Sequence, residues 1–409
     1  MSWSNLVNQG VNAEQQELVV QIVAEQMDRL SLPVKRDGSR LEFEARPAVL
    51  AALSRQGLIA DAAMQTSLVQ RVVARIGGLG FIHAMLPGKD YDPGYSEIAL
   101  NPDGTVWVQK QGAQYFEKLD LNPSKEEVWR AVESLLAPLG RSISESTPSV
   151  DAKLPRSEGM GGARIKIIHP LLAPGSGYPA INIRLFKARP VSPELLIQGE
   201  AAPAAVVESL LEHVAAHLRV LVVGGTGTGK TTVLSALCSA IPKQARIVKI
   251  EDPEEIWLDH PNTVTLEARP SQVGSSVPAY TLQNGVDDAM RMSPRWLIVG
   301  EVRDGNAAFS LFRAQMSDHP GLSTTHAESP EATVKRIGLL MLQDRLVPRE
   351  ASREVFAEAV DLVIQVGWRE GKRRILGVWE VGEASGSEVL FSPLYSFGDS
   401  KMIPSQRKR

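Results

Sequence analysis

At 409 residues the chain has room for two domains of roughly 150 residues with extensions. Its 44 Lys and Arg against 47 Asp and Glu leave a net charge of −3, with 43% hydrophobic and 22% charged residues. Such a balance excludes a disordered chain and one whose main task is to coat nucleic acid or anionic lipid. One cysteine, Cys238, excludes an internal disulfide framework and a cysteine-built zinc site, and suits a reducing cytoplasmic setting. No stretch approaches the roughly 20 apolar residues of a spanning helix. The start, Met1 to Asn5, has no signal-peptide pattern, so membrane association is expected to be peripheral or through a partner.

Residues 1–80 read as a helical extension. Val19, Val23, Met27 and Leu30 share one helical face, and Pro33 ends the run. Asp37-Gly38, between Val34 and Phe43, has the form of a hairpin turn. Further helices are expected over 47–55 and 61–76, broken by Gly57 and by Gly77-Gly78. Residues 81–186 form an α+β segment. Ser96–Leu100 and Thr105–Gln109 alternate around Asn101-Pro102-Asp103-Gly104, a helix is expected over 124–138, and Arg164–Ile168 and Ala180–Leu185 read as strands. Residues 187–203, with Pro190 and Pro203, are expected to be a linker.

From 204 to 382 strands and helices alternate, the sign of an α/β domain with a parallel sheet. Strands are expected at 219–223, 246–250, 296–300 and 321–325. Helices are expected at 206–217, 230–240, 279–292, 304–317 and 329–342, and a hairpin over 361–381 closes the domain around Gly371. Residues 383–409 are expected to be a tail, with Arg407-Lys408-Arg409 frayed in solvent.

The sharpest chemical signal is Gly224-Gly225-Thr226-Gly227-Thr228-Gly229-Lys230-Thr231-Thr232, which fits G-x-x-x-x-G-K-[ST] between an apolar strand and a helix. Glycines let successive backbone N–H groups turn inward on phosphate oxygens, and the helix start adds its positive dipole end. Lys230 would reach the β- and γ-phosphates and the Thr231 hydroxyl would hold Mg²⁺, so the loop points to a nucleoside triphosphate site. Trp296-Leu297-Ile298-Val299 runs into Gly300-Glu301, placing Glu301 at a strand's carboxyl edge as a metal-water ligand or general base. Glu251 ends another apolar strand and opens a carboxylate cluster, Glu251-Asp252-Pro253-Glu254-Glu255. That cluster is either a charged helix start or a set of acids that polarise water. His326 ends the Gly321–Thr325 strand with His319 seven positions earlier; they are packing residues or γ-phosphate sensors.

The ordered set GGTGTGKTT, IEDPEEI, RMSPRWLIVGEVRDG and HPGLSTTHAES followed by Arg336 resembles the secretion-ATPase superfamily of type II and type IV secretion, conjugation and type IV pili. SEIALNPDGTVWV, DAKLPRSEGMGGARIKI and INIRLF resemble that superfamily's N-terminal domain, so the likeness covers about residues 95–382. The resemblance implies a PAS-like N-terminal domain, a RecA-like P-loop ATPase domain and a homohexameric ring. It also implies Glu301 as the Walker B glutamate, Glu251 as the acidic-box glutamate that activates water, and His319 with His326 as a histidine box. Arg164 and Arg184 match the arginines that meet nucleotide from the N-terminal domain. The chain departs from the pattern in carrying Arg295 after Pro294, where an aspartate is common, and in a longer loop over Arg156–Gly162.

With one cysteine, the tetracysteine insert of the type II and pilus-extension branch is impossible, and the chain is most similar to the conjugal-transfer and type IV secretion traffic ATPases. The implied function is a cytoplasmic ATPase, peripheral to the inner membrane, that powers such a machine with ATP and Mg²⁺. A pilus retraction or assembly motor is the near alternative. A RecA-like nucleic-acid motor is a different class, disfavoured by 5% aromatic residues and the absence of a basic surplus. A nucleotide-gated platform, with hydrolysis as a timer, shares the same motifs. A GTPase switch is disfavoured because no Asn-Lys-x-Asp segment occurs.

Overall fold

The structure, a computed structural model, describes residues 11–27, 30, 38–77, 79–87, 92–156, 160–269, 278–386 and 388–407. The chain divides between Phe186 and Lys187 into two compact units. No described helix is long and apolar enough to cross a membrane.

Among the described residues, the first unit begins with helices α1 (Ala13–Met27), α2 (Gly38–Arg55) and α3 (Ala62–Gly77). Val19, Val23, Leu41, Val49, Leu68 and Val72 meet in a core of their own. Gly38 therefore begins a helix where a hairpin was expected, while Asp37 lies outside the described residues. Leu41, Ala45, Val49 and Ala52 recur at helical spacing and are all buried, and that continuous face outweighs the local Asp-Gly turn signal.

Six antiparallel strands follow: β1 (Tyr95–Leu100), β2 (Val106–Lys110), β3 (Glu117–Lys118), β4 (Ser149–Leu154), β5 (Ala163–Ile168) and β6 (Ala180–Leu185). Their spatial order is β3-β2-β1-β6-β5-β4. Alternation puts Val150, Ile165, Ile167, Ile181 and Ile183 on one face, against Val128, Val132 and Leu135 of α4 (Lys125–Leu136). The opposite face is polar. The Arg156–Gly162 loop lies partly outside the described residues.

The second unit does not begin with a free linker. Helix α5 (Pro193–Gln198) occupies the stretch, and Leu196 and Ala202 are buried with α6 (Ala204–Ala215) in the core of this unit. Strands β7 (Val220–Val223), β8 (Ile247–Glu251), β9 (Thr263–Glu267), β10 (Trp296–Val302), β11 (Gly321–Thr325) and β12 (Leu362–Arg369) run parallel. Strands β13 (Lys372–Ser385) and β14 (Glu388–Ser396) extend the sheet antiparallel, in the order β14-β13-β12-β7-β11-β10-β8-β9. Helices α7 (Lys230–Leu237), α8 (Leu282–Ala289), α9 (Gly305–Met316), α10 (Pro330–Gln343) and α11 (Arg349–Ala359) complete the unit. Both sheet faces are buried, one with Val222, Leu234, Ile298 and Ile364, the other with Leu221, Val299, Phe312 and Val363. This explains why the central strands read as unbroken apolar runs.

The expected tail is also largely ordered into the sheet. β14 forms its edge, where Pro393 costs no interior ladder bond. Arg407 is not frayed: its guanidinium donates to Asp361 Oδ1 at 3.1 Å and to the Val381 carbonyl, while residues 408–409 lie outside the described set.

Candidate functional site at the carboxyl edge of the parallel sheet

β7 delivers the glycine-rich loop. β11 and β10 stand on one side of β7 and β12 on the other, while β8, next in sequence, lies beyond β10. The chain thus crosses over here, and carboxyl-edge crevices at such crossovers are where open α/β sheets bind ligands. Gly227 and Gly229 hold φ values of +71° and +94°, conformations that a side chain would strain. Gly224 is needed for another reason: a Cβ there would stand 2.4 Å from the Val366 carbonyl oxygen. Gly225, Thr226 and Gly227 are exposed, Thr231 and Thr232 are half-buried, and Lys230 begins α7. Thr228 Oγ1 braces the turn by donating to Gly225 O at 2.9 Å.

Lys230 is only 7% exposed. Its Nζ donates to Gly225 O at 2.9 Å and Gly224 O at 3.2 Å, and lies 3.2 Å from His326 Nδ1. His326 Nε2 stands 2.7 Å from Glu301 Oε1, which is itself 3.9 Å from Lys230 Nζ. A lysine donor on Nδ1 leaves the proton of a neutral imidazole on Nε2, pointing at the carboxylate. Burial, and then the Lys230 charge, hold His326 below the ordinary histidine range, with Glu301 opposing.

Glu301 is carried by an irregularity of β10: its register against β11 shifts between Val299 and Val302, and Thr324 Oγ1 donates to the displaced Gly300 O at 2.7 Å. Such a bulge re-aims a side chain. Arg303 Nε donates to Glu301 Oε2, a partner that sequence spacing did not single out although it lies two residues away.

Glu251 ends β8 and is 2% exposed. Its Oε1 accepts from the backbone N–H groups of Glu255 at 3.1 Å and Ile256 at 3.0 Å, and its Oε2 is 3.0 Å from Lys249 Nζ. Burial pushes the Glu251 carboxyl up and the lysine charge opposes it. The side chain lies over Gly300, where a Cβ would come within 2.9 Å of Glu251 Cγ. Glu251 is thus beside the strand that bears Glu301, its Oε1 hydrogen-bonded and its buried Oε2 facing Lys249 as an ion pair without a hydrogen bond. Lys249 also bonds Glu254 Oε1 at 2.9 Å and the Ile256 carbonyl. Sequence reasoning passed over this lysine; the signal was a lone charge inside the apolar run Ile247–Ile250.

His319 is not gathered with these groups. It precedes β11 while His326 follows it, and seven residues of extended chain span roughly 23 Å, so the two occupy opposite sheet edges.

In the first unit, Arg164 and Arg184 stand directly opposite each other on β5 and β6. Arg184 Nη2 and Nε bond Glu97 Oε1 at 2.8 and 3.0 Å, and Arg164 Nη2 is 3.8 Å from Asp151 Oδ1. Two like charges side by side are unfavourable, and the flanking carboxylates offset this.

The described residues contain no group of three His, Cys, Asp or Glu placed to hold a metal. Mg²⁺ carried by a nucleotide is bound mainly through phosphates and waters and needs no such cage, so the side chains expected to hold it, Thr231 and Glu301, are chemically compatible with that mode.

A family model described as type II/IV secretion system protein matches residues 92–366. The chain is 29% identical over 282 residues to the conjugal transfer protein TrbB of Rhizobium radiobacter, covering 68% of this chain and 80% of that one. It is 30% identical over 351 residues to the type IV secretion system protein VirB11 of Brucella suis biovar 1, covering 76% and 92%. Among solved structures, the ATPase DotB of Legionella pneumophila matches with a TM-score of 0.51 at 20% identity, over 70% of this chain and 77% of that one, a likeness of fold.

Proposed function

The chain belongs to the type II/IV secretion system protein family, and from that premise we propose that it hydrolyses ATP to drive a type IV secretion or conjugative-transfer machine. The observation that carries this is the convergence of Lys230, His326 and Glu301 at the open, glycine-rich loop after β7. In this account residues 204–382 act as a RecA-like ATPase domain and the strand layer of the first unit as a PAS-like domain. Six chains form a ring peripheral to the cytoplasmic face of the inner membrane, beside the membrane proteins of the machine.

Lys230 and the loop amides bind the phosphates, and Thr231 and Glu301 would hold Mg²⁺, which supplies charge neutralisation on the phosphate oxygens when bound. Glu301 orients the attacking water. His326, bonded to both Lys230 and Glu301, is placed to report to β11 whether the lysine is engaged. Glu251 adds negative field behind Gly300, and it accepts a water proton only where Oε2 leaves Lys249. Arg164 and Arg184 contribute planar cationic donors to charge on the transferring phosphoryl group, and domain closure couples hydrolysis to work.

Glu301→Gln tests the reading. The variant is expected to retain ATP and to lose about 10²-fold or more in turnover, measured by phosphate release, with transfer lost in parallel. Turnover near that of the parent chain would contradict the assignment.

A further inference from the structure

Strand β8 is buried along its whole length, yet it carries two charged side chains, Lys249 and Glu251. Spaced two apart in a strand, they leave the same face of the sheet. Val248 and Ile250, on the other face, pack into an apolar core. A lysine at this depth is costly to desolvate, and its partners decide what the charge is for.

Those partners are unequal. Lys249 Nζ donates to Glu254 Oε1 at 2.9 Å and to the Ile256 carbonyl, both in the turn that follows β8. Glu251 Oε2 lies 3.0 Å from the same nitrogen and has no hydrogen-bond partner. Glu251 Oε1, in contrast, accepts from the backbone N–H groups of Glu255 and Ile256. The carboxylate is therefore anchored through one oxygen only. A buried oxygen without a hydrogen bond is an exception in native proteins, and this one belongs to the strand paired with the strand that bears Glu301.

We propose that Lys249 is a positioning residue for hydrolysis: held by Glu254 and the Ile256 carbonyl, it keeps Glu251 ionised while leaving Oε2 open to take a proton from water. The proposal rests on the ATPase reading above. A buried carboxyl tends to be neutral unless a cation stands beside it, and a neutral carboxyl does not accept a proton from water. A carboxylate oxygen that accepts a hydrogen bond from an ammonium is a poorer base, because the bond stabilises the charged form. A cation anchored elsewhere meets both requirements, since Oε2 turns from Lys249 without breaking a hydrogen bond. In the step itself, the water oxygen bonds to the γ-phosphorus and the bond from that phosphorus to the β,γ-bridging oxygen breaks. The bridging oxygen leaves on ADP with the electron pair, and the water proton passes to Oε2 and from there to solvent. Glu254 belongs to the device: without its charge, Lys249 is free to swing onto Oε2 and close it.

The test is a pair of double-mutant cycles on the full chain. Steady-state ATP hydrolysis is measured for the parent, Glu251→Gln, Glu254→Gln, Lys249→Met and the latter two combined with Glu251→Gln, and ATP affinity is read separately by calorimetry. Expected losses in kcat are about 10²-fold for Glu251→Gln, about tenfold or more for Lys249→Met and about fivefold for Glu254→Gln, with ATP affinity within about twofold of the parent. In the Glu251→Gln background, neither second substitution should lower kcat by more than about twofold, because both act through Glu251. Losses that multiply in the double variants would overturn the proposal. So would parent-like kcat in Glu251→Gln or Glu254→Gln, or a loss that falls on ATP affinity and not on kcat. Should Lys249→Met fail to fold, the Glu254→Gln cycle decides alone, since that side chain is only half-buried and leaves the Lys249–Glu251 pair in place. A parent chain that binds ATP and does not hydrolyse it would instead remove the ATPase reading.

Discussion

At the scale of single residues, the site depends on how buried charges are satisfied. Lys249 and Glu251 are each 2% exposed, and the lysine serves two carboxylates and a carbonyl. Removing one partner from a buried ion pair leaves an uncompensated charge, at a cost of about 3–5 kcal/mol. Lys249→Met is therefore expected to destabilise the chain by about 3 kcal/mol, read as a lowered urea midpoint, because Glu251 and Glu254 would be left without their cation. An unchanged midpoint would show that the carboxylates do not need it. The motif residues were legible from spacing because a phosphate loop demands glycine and lysine at fixed offsets. Lys249 was not legible, since a charge in an apolar strand acquires meaning only when its partners, from the following turn, are placed. His319 and His326 stand at opposite ends of β11, because an extended strand turns proximity in sequence into distance in space.

At the scale of elements, the loop is aimed by the strands around it. The amino ends of β7 and β12 are tied by Arg219 and Asp361, exposed by 2% and 0%, through Arg219 N at 2.8 Å, Nε at 2.9 Å and Nη2 at 3.1 Å. Arg407 adds a third cationic contact to the same carboxylate, so residue 407 is fastened to the group that ties β12 to β7, the strand leading into the glycine-rich loop. Asp361→Ala is expected to lower stability by about 3–5 kcal/mol and to release the residues around Arg407 to proteolysis. An unshifted melting temperature with an intact terminus would contradict that role. Strand–helix alternation located the central elements, because strands buried on both faces are apolar throughout. The edge strands β9 and β14 and the helix α11 escaped it. Edge strands carry a mixed pattern, and Pro393 argues locally against a strand that its edge position permits. The stretch 187–203 looked like a linker because of its prolines, yet Pro193 occupies the first turn of α5, where its missing N–H costs nothing.

At the scale of the whole molecule, the chain consists of two compact units with separate cores. The second holds the glycine-rich loop with Lys230, Glu301 and His326, and the first holds the opposed pair Arg164 and Arg184. In the proposed cycle, nucleotide bound to the second unit gives those arginines an anion to meet, which converts a binding event into domain motion. All of this depends on whether the loop after β7 grips a triphosphate. Calorimetric titration of ATP with magnesium into the full chain, beside Lys230→Ala, measures that directly. Saturable binding by the parent chain, reduced at least about a hundredfold by the substitution, is the predicted result. A folded parent chain that takes up no ATP, or a Lys230→Ala chain that binds it equally well, would contradict the account.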